Sequence, residues 1–289
     1  MLNSALAERG IVALERLAAA VPAPPAAPDW ERTLAFRWRR AHPQGFFQPV
    51  RHPHRLRLAD LQCIDRQKTV LDLNARQFLA GQPCNHVLLW GARGTGKSSL
   101  IKALLNEYAA QGLRLIEVDK QDLLDLPELV EPLSDRPERF LLYCDDLSFA
   151  ADDSSYKALK AMLDGSISAA PANVLLCATS NRRHLLPEYA QDNQQSQLIE
   201  GELHHGEAVE EKISLSERFG LWLSFHPFSQ EDYLAIVAYW LQQLAWAAGL
   251  DEAARADALR WALQRGSRSG RVAWQFARDW VGRNRLGAQ

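Results

Sequence analysis

A glycine-rich turn near residue 91 limits the possible folds more than any other feature of the chain. Residues Gly91-Ala-Arg-Gly-Thr-Gly-Lys97-Ser98 match the pattern G-x-x-x-x-G-K-[ST]. An apolar run at 86–90 precedes the turn, and a helical pattern at 97–111 follows it. Glycines allow such a loop to curl so that consecutive N–H groups point inward, and the helix start adds positive partial charge. The sequence therefore predicts a phosphate-binding loop rather than an ordinary glycine-rich turn.

Two side chains of this loop have a specific chemistry. Lys97 is expected to reach the β- and γ-phosphates of a nucleotide, and the Ser98 hydroxyl is expected to ligate Mg²⁺. The residues predicted to bind the nucleotide are Gly91, Ala92, Arg93, Gly94, Thr95, Gly96, Lys97, Ser98 and Ser99.

The segment around the loop alternates between short apolar runs and helical patterns. The predicted strands are 86–90, 113–118, 140–144, 174–179 and 221–225, and the predicted helices lie near 97–111, 121–131, 154–169 and 207–220. Strands separated by helix-length crossovers indicate a parallel sheet with helices on both faces. The predicted fold class is therefore a three-layer αβα core with a five-stranded parallel sheet.

Composition changes divide the chain into three predicted parts. Residues 1–54 combine a helix at 2–20, a linker rich in proline and alanine, and a stretch of arginines and aromatic residues. The α/β core is predicted at 55–226, with a polar insertion at 187–214. An all-helical lid is predicted at 227–289, where five of the nine tryptophans indicate a small core of its own.

Polar residues follow two of the predicted strands. Asp145 and Asp146 end the strand at 140–144, and because parallel strands share one carboxyl edge, they should lie beside the glycine-rich loop. Asp145 would hold a Mg²⁺-bound water, and Asp146 would orient or deprotonate an attacking water. The alternative is that both acids cap the next helix. The polar end at 179–181 could hold that water or contact the γ-phosphate, or it could be a solvated strand end.

Taken together, these motifs resemble those of AAA+ ATPases over about residues 55–285. The resemblance rests on a Walker A loop, a Walker B strand, the segment Ala178-Thr-Ser-Asn181 and a C-terminal helical lid. The motifs at 86–100, 144–149 and 178–187 are more closely similar to a bacterial AAA+ family of unknown function. This resemblance implies the AAA+ fold and ATP or ADP with Mg²⁺ as ligands, but it implies no client.

The resemblance also implies roles for three further residues. Asn181 matches sensor 1, Arg218 matches an arginine finger, and Arg271 matches sensor 2 in the lid. A finger acts on the ATP of a neighbouring subunit, so a homo-oligomeric ring or filament is implied. Arg182 and Arg183 compete for the finger role, and Arg218 also fits a plain surface residue. Arg268 competes with Arg271 for the role of sensor 2.

Two departures from the AAA+ pattern affect the predicted function. The catalytic acid is usually Glu, and the shorter Asp146 favours slow hydrolysis. No aromatic pore loop follows Val118, which weakens the case for a polypeptide-threading unfoldase. The leading interpretation is an ATPase that remodels an unidentified partner. The alternatives are a nucleotide-gated adaptor with negligible hydrolysis, a nucleic-acid-associated loader, and a small-molecule kinase, for which no cluster of acceptor-binding arginines is evident.

Charge and composition exclude several other classes. The net charge of −2 provides no field that would attract nucleic acid. The seven arginines at 30–57 are therefore expected to flank aromatic residues that pack on the core, in preference to binding nucleic acid. His204 and His205 have no further metal-ligating residues nearby, so they are expected to be solvated loop residues rather than a metal site. No apolar run is long enough to span a membrane, and no signal-peptide pattern is found. Four separated cysteines are typical of reduced thiols, so a cytoplasmic protein is expected.

Overall fold

A computed structural model describes residues 26–40, 44–149, 155–164, 171–183, 185, 197–199, 202–204 and 215–287. Its main sheet contains the strands β1 (Ala35–Arg39), β2 (Phe46–Pro49), β3 (Val87–Gly91), β4 (Leu113–Glu117), β5 (Arg139–Cys144), β6 (Val174–Ser180) and β9 (Leu221–Phe225). The strands β7 (Gln197–Ile199) and β8 (Glu202–His204) form a separate antiparallel hairpin. The main sheet has the order β2-β1-β4-β5-β6-β3-β9, and all its neighbours are parallel except β1 and β2.

The described helices cover both faces of the sheet and form the lid. They are α1 (Asp65–Leu79), α2 (Lys97–Tyr108), α3 (Leu126–Val130), α4 (Ser155–Asp164), α5 (Gln230–Gln243), α6 (Glu252–Gln264) and α7 (Gly270–Gly287). The buried apolar side chains fall into two clusters: one contains residues of α1, α2 and the lid, and the other contains residues of α3 and α4. This arrangement confirms the predicted αβα fold.

The sheet has two more strands than the five predicted. The extra strands, β1 and β2, come from the arginine- and aromatic-rich stretch, and β1 pairs with β4 along the sheet edge. Four aromatic side chains of this stretch are buried, namely Trp30, Phe36, Trp38 and Phe47. Arg37 and Arg39 form ion pairs with Glu117 and Asp119 at 2.6 and 2.9 Å. Because these rings are inside the core, they are not available to stack on nucleic acid bases.

The lid helices begin at well-defined caps. At the start of α5, the Ser229 hydroxyl accepts from the backbone N–H of Asp232, and the Asp232 carboxylate accepts from the backbone N–H of Ser229. At the start of α7, the Ser269 hydroxyl accepts from the N–H of Val272 at 3.2 Å. This second cap matters for function because α7 begins directly beside the glycine-rich loop.

Some predicted features lie outside the described residues. These are the helix at 2–20, most of the helix at 207–220, most of the insertion at 187–214, and His205. Among the described residues, no helix is long and apolar enough to cross a membrane.

Candidate nucleotide-binding site

The glycine-rich loop connects β3 to α2 at the carboxyl edge of the sheet. The N–H of Ala92 donates to the carbonyl of Phe225 in β9 at 2.9 Å, which fixes the start of the loop. The backbone N–H groups of residues 94–98 have no hydrogen-bond acceptor among the described residues. Buried N–H groups without protein partners are the usual mark of a site for an anion, and the first turn of α2 adds its positive partial charge.

Lys97 lies at the centre of this loop. Its Nζ donates to the carbonyls of Gly91 and Ala92, both at 2.7 Å, and to Oδ1 of Asn181 at 3.3 Å. Burial lowers the pKa of Lys97, and the charges of Asp146 and Asp145 oppose that shift. The loop therefore holds a partly buried cation beside unpartnered N–H groups, which suits a phosphate.

Asp145 lies where Mg²⁺ is expected. Its Oδ1 accepts from the hydroxyls of Ser98 at 2.7 Å and Thr179 at 2.6 Å. Burial alone would raise the pKa of the Asp145 carboxyl, but the hydroxyls of Thr179, Tyr143 and Ser98 and the charge of Lys102 outweigh burial and lower this pKa. The carboxylate is therefore ionised near neutral pH. A carboxylate and a hydroxyl are hard oxygen ligands, so this pair fits Mg²⁺ completed by phosphate oxygens and water.

Asp146 follows with an unusual backbone. Its φ is +49°, in the left-handed region that non-glycine residues seldom adopt. Its N–H donates to the Thr179 hydroxyl at 2.9 Å, and its carboxylate accepts from the side-chain amide of Asn181. Asn181 therefore connects Asp146 to Lys97, and the three side chains form one chain of hydrogen bonds at the edge of the sheet.

A cavity of about 740 Å³ extends from the loop to the lid. Its polar end is lined by the loop and both acids, and Arg271 of α7 faces the same space. The N–H of Gly270 donates to the carbonyl of Gly94 at 2.9 Å, so the lid contacts the loop directly. A cavity of this volume is large enough for a nucleotide.

The other end of the cavity is apolar and aromatic. Its wall includes Leu61, Ile64, Phe228, Ile236, Trp240 and Trp274. The rings of Trp240 and Trp274 have centroids 4.5 Å apart, and both are partly exposed. The tryptophans were expected to form the lid core, but these two also line the cavity. Their faces offer a surface for a planar base.

The structure does not bring every predicted arginine to the cavity. Arg218 is absent from the described lining and instead pairs with Asp164 at the end of α4. Its competitor Arg183 lies over the Trp90 ring, with its guanidinium carbon 5.7 Å from the centroid. Arg268 is exposed and lies outside the lining, so the geometry favours Arg271 over Arg268 at this site.

Two parts of the site were not fully specified by the sequence. The first is Thr179, which belongs to the predicted polar end at 179–181 but whose contacts with both acids the motif did not indicate. The second is the wall at 54–64, which precedes the core helices and lies over the cavity. The sequence pattern could have indicated this wall, because apolar residues recur in the segment just before α1. Among the described residues, no group of three or more His, Cys, Asp or Glu side chains could hold a metal by itself.

Solved structures with the same fold share limited sequence identity with the chain. A point mutant of Thermotoga maritima RuvB is 18% identical with a TM-score of 0.51, covering 77% of this chain and 63% of that chain. A second mutant of that protein is 18% identical with a TM-score of 0.50, covering 77% and 64%. The Thermotoga maritima RuvB Holliday junction branch migration motor is 18% identical with a TM-score of 0.48, covering 77% and 63%. The chain thus spans less than two thirds of the length of these structures.

The comparison with curated proteins gives no match. A family described as "Protein of unknown function (DUF815)" matches residues 31–284, which is most of the chain and includes the sheet, the cavity and the lid. The similarity to RuvB shows that the fold is that of the AAA+ class. The chain therefore belongs to the DUF815 family and has the AAA+ fold.

Proposed function

We propose that the protein binds ATP with Mg²⁺ and hydrolyses it slowly, in order to remodel a partner protein. The observation that carries this proposal is the convergence of three features at one sheet edge. These are the unpartnered N–H groups of residues 94–98, the Lys97 ammonium, and the Ser98–Asp145 pair. Each suits a different part of a nucleoside triphosphate with its metal.

Each residue has a defined task in this proposal. The loop N–H groups and Lys97 hold the phosphates, while Ser98 and Asp145 hold the metal side. Mg²⁺, when bound, neutralises charge on the phosphate oxygens. Arg271 approaches the phosphates from the lid, and the aromatic wall around Trp240 receives the base.

Asp146 and Asn181 are assigned to the attacking water. Asp146 accepts from Asn181, so its carboxylate is held at a defined position from which it can orient or deprotonate water. An aspartate is one methylene shorter than glutamate, and a displacement of about 1 Å costs on the order of 100-fold in rate. We therefore expect slow turnover.

Among the described residues, Arg93 and Arg271 are the arginines that line the cavity, and neither matches the finger. Arg218 lies away from the described lining of the cavity, so we assign it to the site of a neighbouring subunit. In this proposal the protein works as a ring or filament in the cytoplasm, and ATP turnover moves the lid through its contact at Gly94.

A second candidate is a nucleotide-gated adaptor. In that case the protein binds ATP, hydrolyses it negligibly and recruits its partner in the ATP state. The observation favouring this candidate is Asp146 in the place of the usual glutamate.

Binding and turnover together separate the candidates. Calorimetry with Mg·ATP and Mg·ADP measures binding, and phosphate release measures turnover. Lys97→Ala should weaken ATP binding about 10- to 100-fold, because it removes a buried charged donor. Asp146→Asn should retain binding and lose turnover. Wild-type protein that binds tightly without releasing phosphate would establish the adaptor, and folded protein that binds neither nucleotide would refute both candidates.

A further inference from the structure

Thr179 is the residue through which the two acids at the end of β5 are attached to β6. Regular pairing between these strands ends at Cys144 and Ala178. Immediately beyond that point, the Thr179 hydroxyl contacts Asp145 and the N–H of Asp146, at 2.6 and 2.9 Å. The carbonyl of Thr179 then accepts from the N–H of Leu147 at 2.7 Å. One buried residue thus makes three contacts to the segment that follows β5, beyond the last regular pair of the two strands.

The direction of these bonds is fixed by chemistry. An ionised carboxylate only accepts, so the single proton of the Thr179 hydroxyl is donated to Asp145. The oxygen then uses a lone pair to accept from Asp146 N–H. Thr179 is 1% exposed, so water does not compete for these bonds.

The bond to Asp146 lies next to the unusual backbone. Asp146 has φ of +49°, and aspartate adopts this region more readily than most residues. The same residue presents its carboxylate to Asn181. The N–H of Asp146 also donates to Oδ1 of Asp145 at 3.2 Å, so the shorter bond to Thr179 and this second bond together hold the backbone from which the Asp146 carboxylate extends.

We infer that Thr179 is a positioning residue that sets the placement of the metal-side acid Asp145 and the water-side acid Asp146 together. This inference rests on the proposed function, because it assigns those two acids to the metal and to the attacking water. Thr179 borders the cavity, but it is 1% exposed, so we assign it to act through the two acids rather than by direct contact with the substrate. Its hydroxyl compensates for the short side chain of Asp146 by fixing the backbone from which that side chain extends.

The test compares Thr179→Val, which keeps the shape and removes the hydroxyl, with Thr179→Ser, which keeps the hydroxyl. Thr179→Val should lower kcat about 10- to 100-fold and raise the Mg²⁺ concentration for half-maximal turnover. The KM for ATP should stay within about threefold of wild type, because the phosphate contacts at residues 94–98 remain. Thr179→Ser should keep kcat within about threefold of wild type.

Three results would overturn the inference: wild-type kcat in Thr179→Val, equal impairment in Thr179→Ser and Thr179→Val, or a change confined to KM. Thermal melting shows whether each variant is folded. If Thr179→Val does not fold, Thr179→Ala removes the same hydroxyl with less bulk and is measured in its place.

A crystal structure of Thr179→Val gives a readout that does not depend on turnover. We expect Asp146 to leave the left-handed region and its carboxylate to separate from Asn181. An unchanged Asp146 in that structure would overturn the inference. Absence of ATP binding and turnover in the wild-type protein would instead refute the proposed function, and the crystal structure would still decide whether Thr179 positions the acids.

Discussion

The two ends of the parallel strands use polar residues in different ways. At the carboxyl ends, Asp145, Asp146 and Asn181 contact one another and face the cavity. At the amino ends, His86 accepts from the N–H of Leu176 at 3.1 Å, so its side chain satisfies a backbone group of β6. His86 at the amino ends thus completes the sheet, whereas the three polar side chains at the carboxyl ends line a cavity. Substitutions at the two ends should therefore change different measured quantities.

Arg218 differs from His86, because it also lies at the amino end of a strand but is proposed to act in catalysis. It lies three residues before β9, at the amino end of that strand, whereas Phe225 at the other end contacts the glycine-rich loop. Five strand residues span roughly 13 Å at about 3.3 Å per residue. The length of β9 therefore separates Arg218 from the loop of its own chain, and the proposed finger role assigns its catalytic effect to another subunit.

The largest effect is expected for Arg218→Ala. If Arg218 is a finger, its removal should lower kcat at least about 100-fold and leave ATP affinity unchanged, since fingers contribute about 10³–10⁵ in rate. Phosphate release and calorimetry on an assembled sample measure the two quantities. Arg183→Ala serves as the matched comparison, because Arg183 competes for the same role and packs on Trp90.

Mixing two inactive variants tests whether Arg218 acts on the nucleotide site of a neighbouring subunit. Lys97→Ala protein retains Arg218, and Arg218→Ala protein retains the loop. A mixture should regain turnover, because some interfaces then combine an intact loop with an intact finger. Wild-type turnover in Arg218→Ala alone would show that the finger assignment is wrong, and Arg183 would be the next candidate.

A smaller effect is expected at the contact between loop and lid. A Cβ at Gly94 would lie 2.8 Å from both Cβ and Oγ of Ser269, and Gly94 has φ of +74°. Gly94→Ala should therefore displace the start of α7 with Arg271, and weaken ATP binding about tenfold, which corresponds to about 1.4 kcal/mol. Calorimetry with Mg·ATP measures this change.

Gly112→Ala is the control for backbone strain. Gly112 has φ of +89°, but a Cβ there would meet nothing within 4 Å. Both variants should lose about 1 kcal/mol of unfolding free energy from the left-handed backbone. If both variants weaken ATP binding equally, the contact between Gly94 and the lid has no special role in binding.

The sequence predicted the central strands and the loop well because these features are local. The apolar run of β3, the glycines and the helical pattern of α2 lie within about 25 consecutive residues. The pairing of β1 with β4 joins residues 80 positions apart, such as Arg37 and Glu117, and no local pattern specifies it. The contacts of Thr179 were not predicted for the same reason, because they depend on Asp145, which follows another strand. The lid tryptophans were assigned to a core, since apolar spacing does not distinguish a packed ring from one that lines a cavity.

The smallest effect is expected at the amino end, where His86 should make stability depend on pH. Burial lowers the pKa of His86 from its ordinary value of 6.5, because the charged ring is disfavoured and Nδ1 must stay unprotonated to accept from Leu176. The unfolded chain therefore binds a proton more readily, and the stability from neutral His86 is present above pH 6.5 and lost as the pH falls through the lowered value.

In His86→Asn, the amide oxygen can accept in place of Nδ1 without titrating. Urea denaturation at pH 7.5 and 5.5 should show a loss that is about 1 kcal/mol larger in wild type than in the variant. An equal loss in both proteins would mean that other groups carry the pH dependence, and the difference between the two ends of the sheet would then not extend to His86.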